Sequence, residues 1–146
     1  EGFLLRPGFR VRVVAGGSRG TLPPQRWFDV DSRSSGYAPF GVMRSAGVKE
    51  FSGTGILTCS VEHNFRSLPF LALGIPFLYD PGIEFILHGA GARTWGSGEI
   101  KNTTPGWHAE AGFGISRIFD LFRVDATWRL TGAKTCVISF GLASIL

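Results

Sequence analysis

The residues able to do chemistry are few and scattered. His63, His88 and His108 are the histidines of the chain, and no two of them stand at a metal-ligand spacing. Glu62 and His63 are adjacent, so on a strand they point to opposite faces and cannot share an ion. Gly114-Ile115-Ser116 begins like a nucleophile elbow but lacks the second glycine and the following helix. His88-Gly89-Ala90-Gly91 is a lone Gly-x-Gly with no helix behind it to hold a phosphate. Glu84 and Glu110 could serve as an acid pair on a glycosidic bond if they converged to about 5–10 Å. No cofactor and no metal is expected, and the chain does not read as an enzyme.

Charge is more informative than catalysis. The 15 basic residues exceed the 11 acidic ones by four, giving a formal net charge of +4. They form no basic run with interleaved exposed aromatics, so nucleic acid is not an expected partner. Twelve of the basic residues are Arg and three are Lys (Lys49, Lys101 and Lys134). Lys, a strongly hydrated point charge, suits open water; Arg, a rigid fork of donors, suits enclosed ion pairs. Most arginines fall on the polar parity of apparent strands, which points to a polar face that is not simply solvated.

Those strands are read from a period of two. Trp107, Ala109, Ala111, Phe113 and Ile115 alternate with His108, Glu110, Gly112, Gly114 and Ser116. Phe122, Val124, Ala126, Trp128 and Leu130 oppose Arg123, Asp125, Thr127 and Arg129, and Cys136, Ile138, Phe140 and Leu142 oppose Val137, Ser139, Gly141 and Ala143. Strand side chains alternate between faces, so each segment has one apolar and one polar-or-small side. The short connections between them make the neighbours antiparallel. Further strands are expected over residues 2–15, from Thr54 to Arg66, and from about Ile83 to Ala92. The count is about six strands in a single domain over 1–146, with no segment of helical period.

Residues 16–52 break the alternation. They are rich in Gly, Ser and Pro yet carry Trp27, Phe28, Tyr37, Phe40 and Met43, too much apolar surface to hang in water. Long loops inside compact domains are commonly functional, and this one is expected to fold back onto the sheet. A second, polar loop is expected over 95–106, with short turns around Leu68 and Phe119 at the other end. Cys59 and Cys136 take the apolar parity and read as buried free thiols. No window of eighteen apolar residues could form a membrane helix. The chain begins at Glu1, and is expected to be a processed chain or a fragment.

Alternation alone does not say which face is inside. In a soluble sandwich the apolar face is the core; in an outer-membrane barrel it faces lipid and the lumen is polar. Charges of both signs mixed with Gly and Ala on the polar side, tryptophans near strand ends, loops of unequal length at the two ends and strands of about ten residues favour the second.

Four stretches carry a family resemblance: Phe51-Ser52-Gly53-Thr54-Gly55, Glu62-His63-Asn64-Phe65-Arg66, Glu110 to Ile115, and Phe122 to Leu130. With the order strand, long loop, five strands, the chain resembles the C-terminal part of an Omp85 or bacterial surface-antigen outer-membrane barrel of the Bacteroidetes kind. The resemblance implies an all-β, antiparallel up-and-down transmembrane barrel, of which these would be about six C-terminal strands, with the remaining strands upstream of Glu1. It implies the bacterial outer membrane as location, outer-membrane lipid and client proteins as partners, and a role in protein assembly or translocation.

In that family a Val-Arg-Gly-aromatic tip of the inward loop pairs with acids on the barrel wall. Val42-Met43-Arg44-Ser45-Ala46-Gly47 keeps the Arg without the Gly-aromatic. The family's wall aspartate has Leu87 in its place, so Glu110 or Glu84 becomes the expected partner of Arg44. Arg44, Glu84, Glu110, Arg123 and Asp125 are therefore the expected contacts between loop and wall. The alternatives are a soluble all-β ligand-binding barrel or sandwich with 16–52 as a lid, and a secreted hydrolase using Glu84 and Glu110.

Overall fold

Alternating side chains become long strands wherever the period of two runs unbroken. The computed structural model describes residues 6–96 and 102–143. In chain order the elements are β1 (Gly8–Gly17), a 3-10 turn (Pro24–Arg26), β2 (Phe28–Asp29), β3 (Ser52–Gly53), β4 (Gly55–Asn64), α1 (Leu68–Ala72), α2 (Pro76–Tyr79), β5 (Glu84–Trp95), β6 (His108–Ile118), β7 (Phe122–Arg129) and β8 (Cys136–Leu142). β1, β4, β5, β6, β7 and β8 form one antiparallel sheet in that order. β2 and β3 make a separate two-residue pair, Phe28 with Gly53 and Asp29 with Ser52. Among the described residues β1 and β8 are the two edges and do not pair with each other.

Several expectations need correction. Among the described residues the first strand runs from Gly8 to Gly17, leaving residues 6 and 7 outside it, and residues 1–5 of the expected strand lie outside those described. The apolar run after Leu68 is neither a short turn nor helix-free, because residues 65–83 hold α1 and α2. Each is a single turn with Pro at its first or second position. Proline is preorganised there, but one turn is too short to display a 3.6 period. The loop expected over 95–106 is shortened because β5 runs on through Trp95, and residues 97–101 of it lie outside the described residues. No described helix is long and apolar enough to cross a membrane.

The sheet is turned inside out relative to a soluble sandwich. Ser60, Glu62, Glu84, His88, His108, Glu110, Ser116, Arg123, Asp125, Thr127 and Ser139 are buried. Apolar residues on the opposite parity of the strands, among them Phe9, Val11, Val13, Leu87, Phe113, Phe122, Trp128, Ile138, Phe140 and Leu142, are exposed. The two cysteines follow the outward parity. Cys59 is only half-buried and Cys136 is exposed, both unpaired, which corrects the expectation of buried thiols. On the outward face a row of rings crosses from β1 to β7. Phe9 meets His63 at 6.0 Å, His63 meets Phe65 at 4.2 Å, Phe65 meets Phe85 at 6.2 Å, Phe85 meets Phe113 at 6.0 Å, and Phe113 meets Trp128 at 5.6 Å.

What covers the inward face is the segment between β1 and β4. Residues 41–46 are buried without exception, and Val30, Met43 and Ala46 pack on Ile56 and Ala92 of the sheet. Arg12 ties the segment down, donating to Gly41 O at 3.2 Å and Asp31 Oδ2 at 3.0 Å. Farther along, the segment straps the free edge of β8. Gly36 O accepts the Phe140 N–H at 2.7 Å, and the Ala38 N–H donates to Phe140 O at 2.8 Å.

Two glycines on the inward side of β6 leave room for what lies beneath the loop. A Cβ on Gly114 would stand 2.2 Å from Asp125 Oδ1, and one on Gly112 would stand 2.1 Å from Ala126 O and 2.8 Å from His88 Cε1. Overpacking of this kind costs about 1–3 kcal/mol. Gly114→Ala is therefore expected to lower stability by that amount in urea unfolding. Gly89→Ala, whose methyl would make only an ordinary 3.6 Å contact with Glu110 O, is expected to stay within about 1 kcal/mol of the parent.

Candidate functional site

Under the loop tip lies a cluster of buried charge. Glu62, on the inward parity of β4, sits opposite Arg10 across the β1–β4 ladder and receives three guanidinium groups. Arg123 donates to it twice, Nη2 to Oε1 at 2.8 Å and Nη1 to Oε2 at 3.1 Å. Arg44 Nη2 reaches Oε1 at 2.8 Å, and Arg10 Nη2 reaches Oε2 at 3.1 Å. Arg123 also closes on Asp125 of its own strand, with Nε 2.9 Å from both carboxylate oxygens and Nη2 2.7 Å from Oδ1. Arg44 Nε stands 3.6 Å from Asp125 Oδ2. Arg123 on β7 and Glu62 on β4 are three inter-strand spacings apart, about 14 Å in a flat sheet.

A second group of contacts holds the loop backbone. Glu110 of β6 accepts the Arg44 N–H and the Ser45 N–H, both at 2.7 Å, and the Ser45 hydroxyl at 2.6 Å. Charge-assisted bonds to a buried carboxylate are the strong ones. With Arg10, Arg44 and Arg123 against Glu62, Asp125 and Glu110, three cations meet three anions. Such balance matters because an unpaired buried charge is far costlier than a paired one.

The expected wall contacts separate into two places. Arg44, Glu110, Arg123 and Asp125 come together at the loop tip. Glu84 does not: it lies at the opposite end of the sheet, where Arg66 Nη1 and Asn64 Nδ2 each donate to it at 2.6 Å. The partner of the Arg44 side chain is Glu62, with Asp125 behind it, while Glu110 binds the Arg44 backbone. Glu62 carried a signal that reasoning from sequence passed over, since it shares the polar parity and the arginines of β1 required an acid.

Around the cluster the remaining polar groups are histidine and hydroxyl. His88 is buried with Nε2 3.6 Å from Asp125 Oδ1. His108 contacts the Ser45 hydroxyl through Nε2 at 3.2 Å and accepts Arg129 Nε at Nδ1 at 3.4 Å. Ser45, His108 and Glu110 are three residue types of a nucleophilic triad, but the order of contacts is wrong. The serine proton goes to Glu110 directly, the ring is met at Nδ1 by a cation, and all three residues are buried. A relay needs the histidine between serine and acid. As an acid pair, Glu84 and Glu110 also fail on distance. Glu110 pairs with Ala90, six residues along β5 from Glu84, about 20 Å at the rise of a strand. Among the described residues no group of three His, Cys, Asp or Glu could hold a metal ion.

At the mouth of the site, beside Trp107, a cleft of about 410 Å³ is lined by Glu50, Phe51, His108 and Arg129 among others. Its charged groups are already engaged. Arg129 pairs with Glu50 and lies 5.5 Å over the Phe51 ring, and the Gly47 N–H donates to Glu50 Oε2 at 2.7 Å. Burial alone would push the Glu50 carboxyl up; the Arg129 and Gly47 hydrogen bonds and the nearby Arg129 and His108 charges outweigh it and hold the carboxyl below its usual range.

No protein-family model, curated protein or solved structure matches the chain.

Breaking a buried pair by removing one partner costs about 3–5 kcal/mol, so Arg44→Ala and Glu110→Ala are each expected to release the loop. Faster protease cleavage within residues 17–52 is the readout, and unchanged cleavage in both variants would contradict it. Glu50 has a lowered folded pKa, so its contribution is present above the unfolded carboxylate value of about 4.3 and lost as pH falls through the folded value. Hydrogen exchange of residues 47–51, corrected for intrinsic rates, is expected to rise on acidification in the parent and to lose that pH dependence in Glu50→Gln.

Proposed function

We propose that the chain is a segment of a bacterial outer-membrane β-barrel. Its six-stranded sheet contributes part of the wall, the segment between β1 and β4 plugs the lumen, and further strands complete the barrel. In this reading it catalyses no reaction and serves protein assembly or translocation at the outer membrane, as the resemblance to Omp85 and surface-antigen barrels implies.

One observation carries the reading: the charged face is buried under its own loop while the opposite face bares rings and branched side chains. That outward face spans six strands, roughly 24 Å across and 30 Å along, so on the order of 700 Å². The largest apolar patch of a soluble monomer is about 300–600 Å². β1, β4, β5 and β6 have 10, 10, 12 and 11 residues. At about 3.3 Å per residue and a tilt near 45° they would rise roughly 23–28 Å, close to the ~25 Å apolar band of such barrels. Trp95, Trp107 and Trp128 stand half-exposed toward one end of the strands, where interfacial aromatics sit in such proteins. A soluble domain with the apolar face as its core is disfavoured: Phe113 and Phe140 are 40% and 59% exposed, and Arg123 only 4%.

The test keeps Trp128 as the single tryptophan, with Trp27, Trp95 and Trp107 changed to Phe, in lipid vesicles. Phospholipids brominated on their acyl chains are expected to quench it while aqueous acrylamide leaves it bright. Quenching by acrylamide alone, from a protein monodisperse without detergent, would overturn the proposal.

A further inference from the structure

The connection between β4 and β5 is chemically unlike the rest of the chain. From Ser67 to Tyr79 it contains no charged residue, although its helices leave Leu71, Leu73 and Phe77 exposed, the last two at 72% and 75%. A water-facing helical hairpin ordinarily shows charge there. Its single well-buried apolar side chain, Phe70, meets Phe85 edge-on at 6.4 Å. Phe85 belongs to the outward face, within the ring row that runs through Phe113. α1 therefore leans on the outer side of the sheet, away from the loop-filled face. Beside it, the turn from β6 to β7 bares Phe119 at 89% together with Leu121 and Phe122. Charged residues are sparse around it: Arg66, bound to Glu84, precedes α1, Asp80 closes α2, and Asp120, within the 119–122 turn, is paired by Arg117.

We propose that α1, α2 and the 119–122 turn form an interfacial lip that lies in the headgroup and acyl boundary of the leaflet at this end of the strands. The occupant of the patch is the lipid bilayer. This rests on the barrel reading above and adds to it which end carries a membrane-embedded collar and how deep that collar sits. Lipid fits better than a protein partner because the patch is continuous with the outward ring row, through Phe70 and Phe85. Short apolar helices lying in the membrane plane gain in proportion to the area they bury.

The experiment places one tryptophan at the lip, Phe77→Trp, in the full chain with its four native tryptophans changed to Phe. Vesicles contain phosphatidylcholine brominated either near the headgroup or near the chain end. The protein retaining Trp128 alone is the reference. Shallow bromine is expected to quench Trp at position 77 several-fold more than deep bromine, and aqueous iodide is expected to quench it weakly. Leu73→Trp is expected to behave the same way and stands in if the first variant misfolds. Strong iodide quenching at position 77 without bromine quenching, while Trp128 is quenched by lipid, would overturn the lip and leave the barrel reading intact. Shielding of position 77 from both quenchers would indicate a protein partner and would also overturn it. Absence of lipid quenching at Trp128 as well would remove the barrel reading itself.

Discussion

An ionised carboxylate cannot be taken out of water alone, and Glu62 has been taken out of water. Everything on the inward face follows from that constraint. Three guanidinium groups converge on it, from β1, from the loop tip and from β7. The loop is thus no ornament on a finished sheet: without Arg44 the cluster would hold two cations against three anions. Hydrophobic packing of Val30, Met43 and Ala46 adds to the seating, but packing is tolerant of small slips. Directional bonds from a rigid fork are not, so the ionic contacts fix where the loop tip sits.

The same constraint explains the composition. Arg fills the enclosed positions because a planar fork can serve two carboxylates at once, as Arg123 does for Glu62 and Asp125. Lys49 and Lys134 are exposed, where a hydrated ammonium is at ease. Glycine on β6 has a matching cause. The inward side of that strand is left bare at Gly112 and Gly114 so that a carboxylate and an imidazole can occupy the space above it.

Much of the wall was legible before any coordinates, because a period of two is a local signal. Phe122 to Leu130 alternates so cleanly that β7 could be drawn from it, and the antiparallel neighbours followed from short connections. Sidedness was legible only indirectly, through the excess of Arg, the mixture of charges with Gly and Ala on the polar parity, and the tryptophans near strand ends. The two helices were not legible, since a single turn begun at a proline has no periodicity to detect. Nor was the choice of partner for Arg44. Glu62, Glu84 and Glu110 all lie on the polar parity, and which one meets the loop depends on register across several strands and on where a long connection lands. Those are non-local facts, and parity says nothing of them. Cys136 shows the converse hazard: its parity was read correctly, but the assumption that apolar parity means interior placed it wrongly.

Only five residues separate Ala38 from Arg44 along the chain. The strap on the margin of β8 and the cation in the ionic socket are thus one short tether. Drawing Arg44 out would tug at Phe140, whose amide and carbonyl are held by Gly36 and Ala38, and would leave two peptide groups of the last strand looking for new company. In mechanical terms the loop and β8 are geared together, so unseating the first unlatches the second.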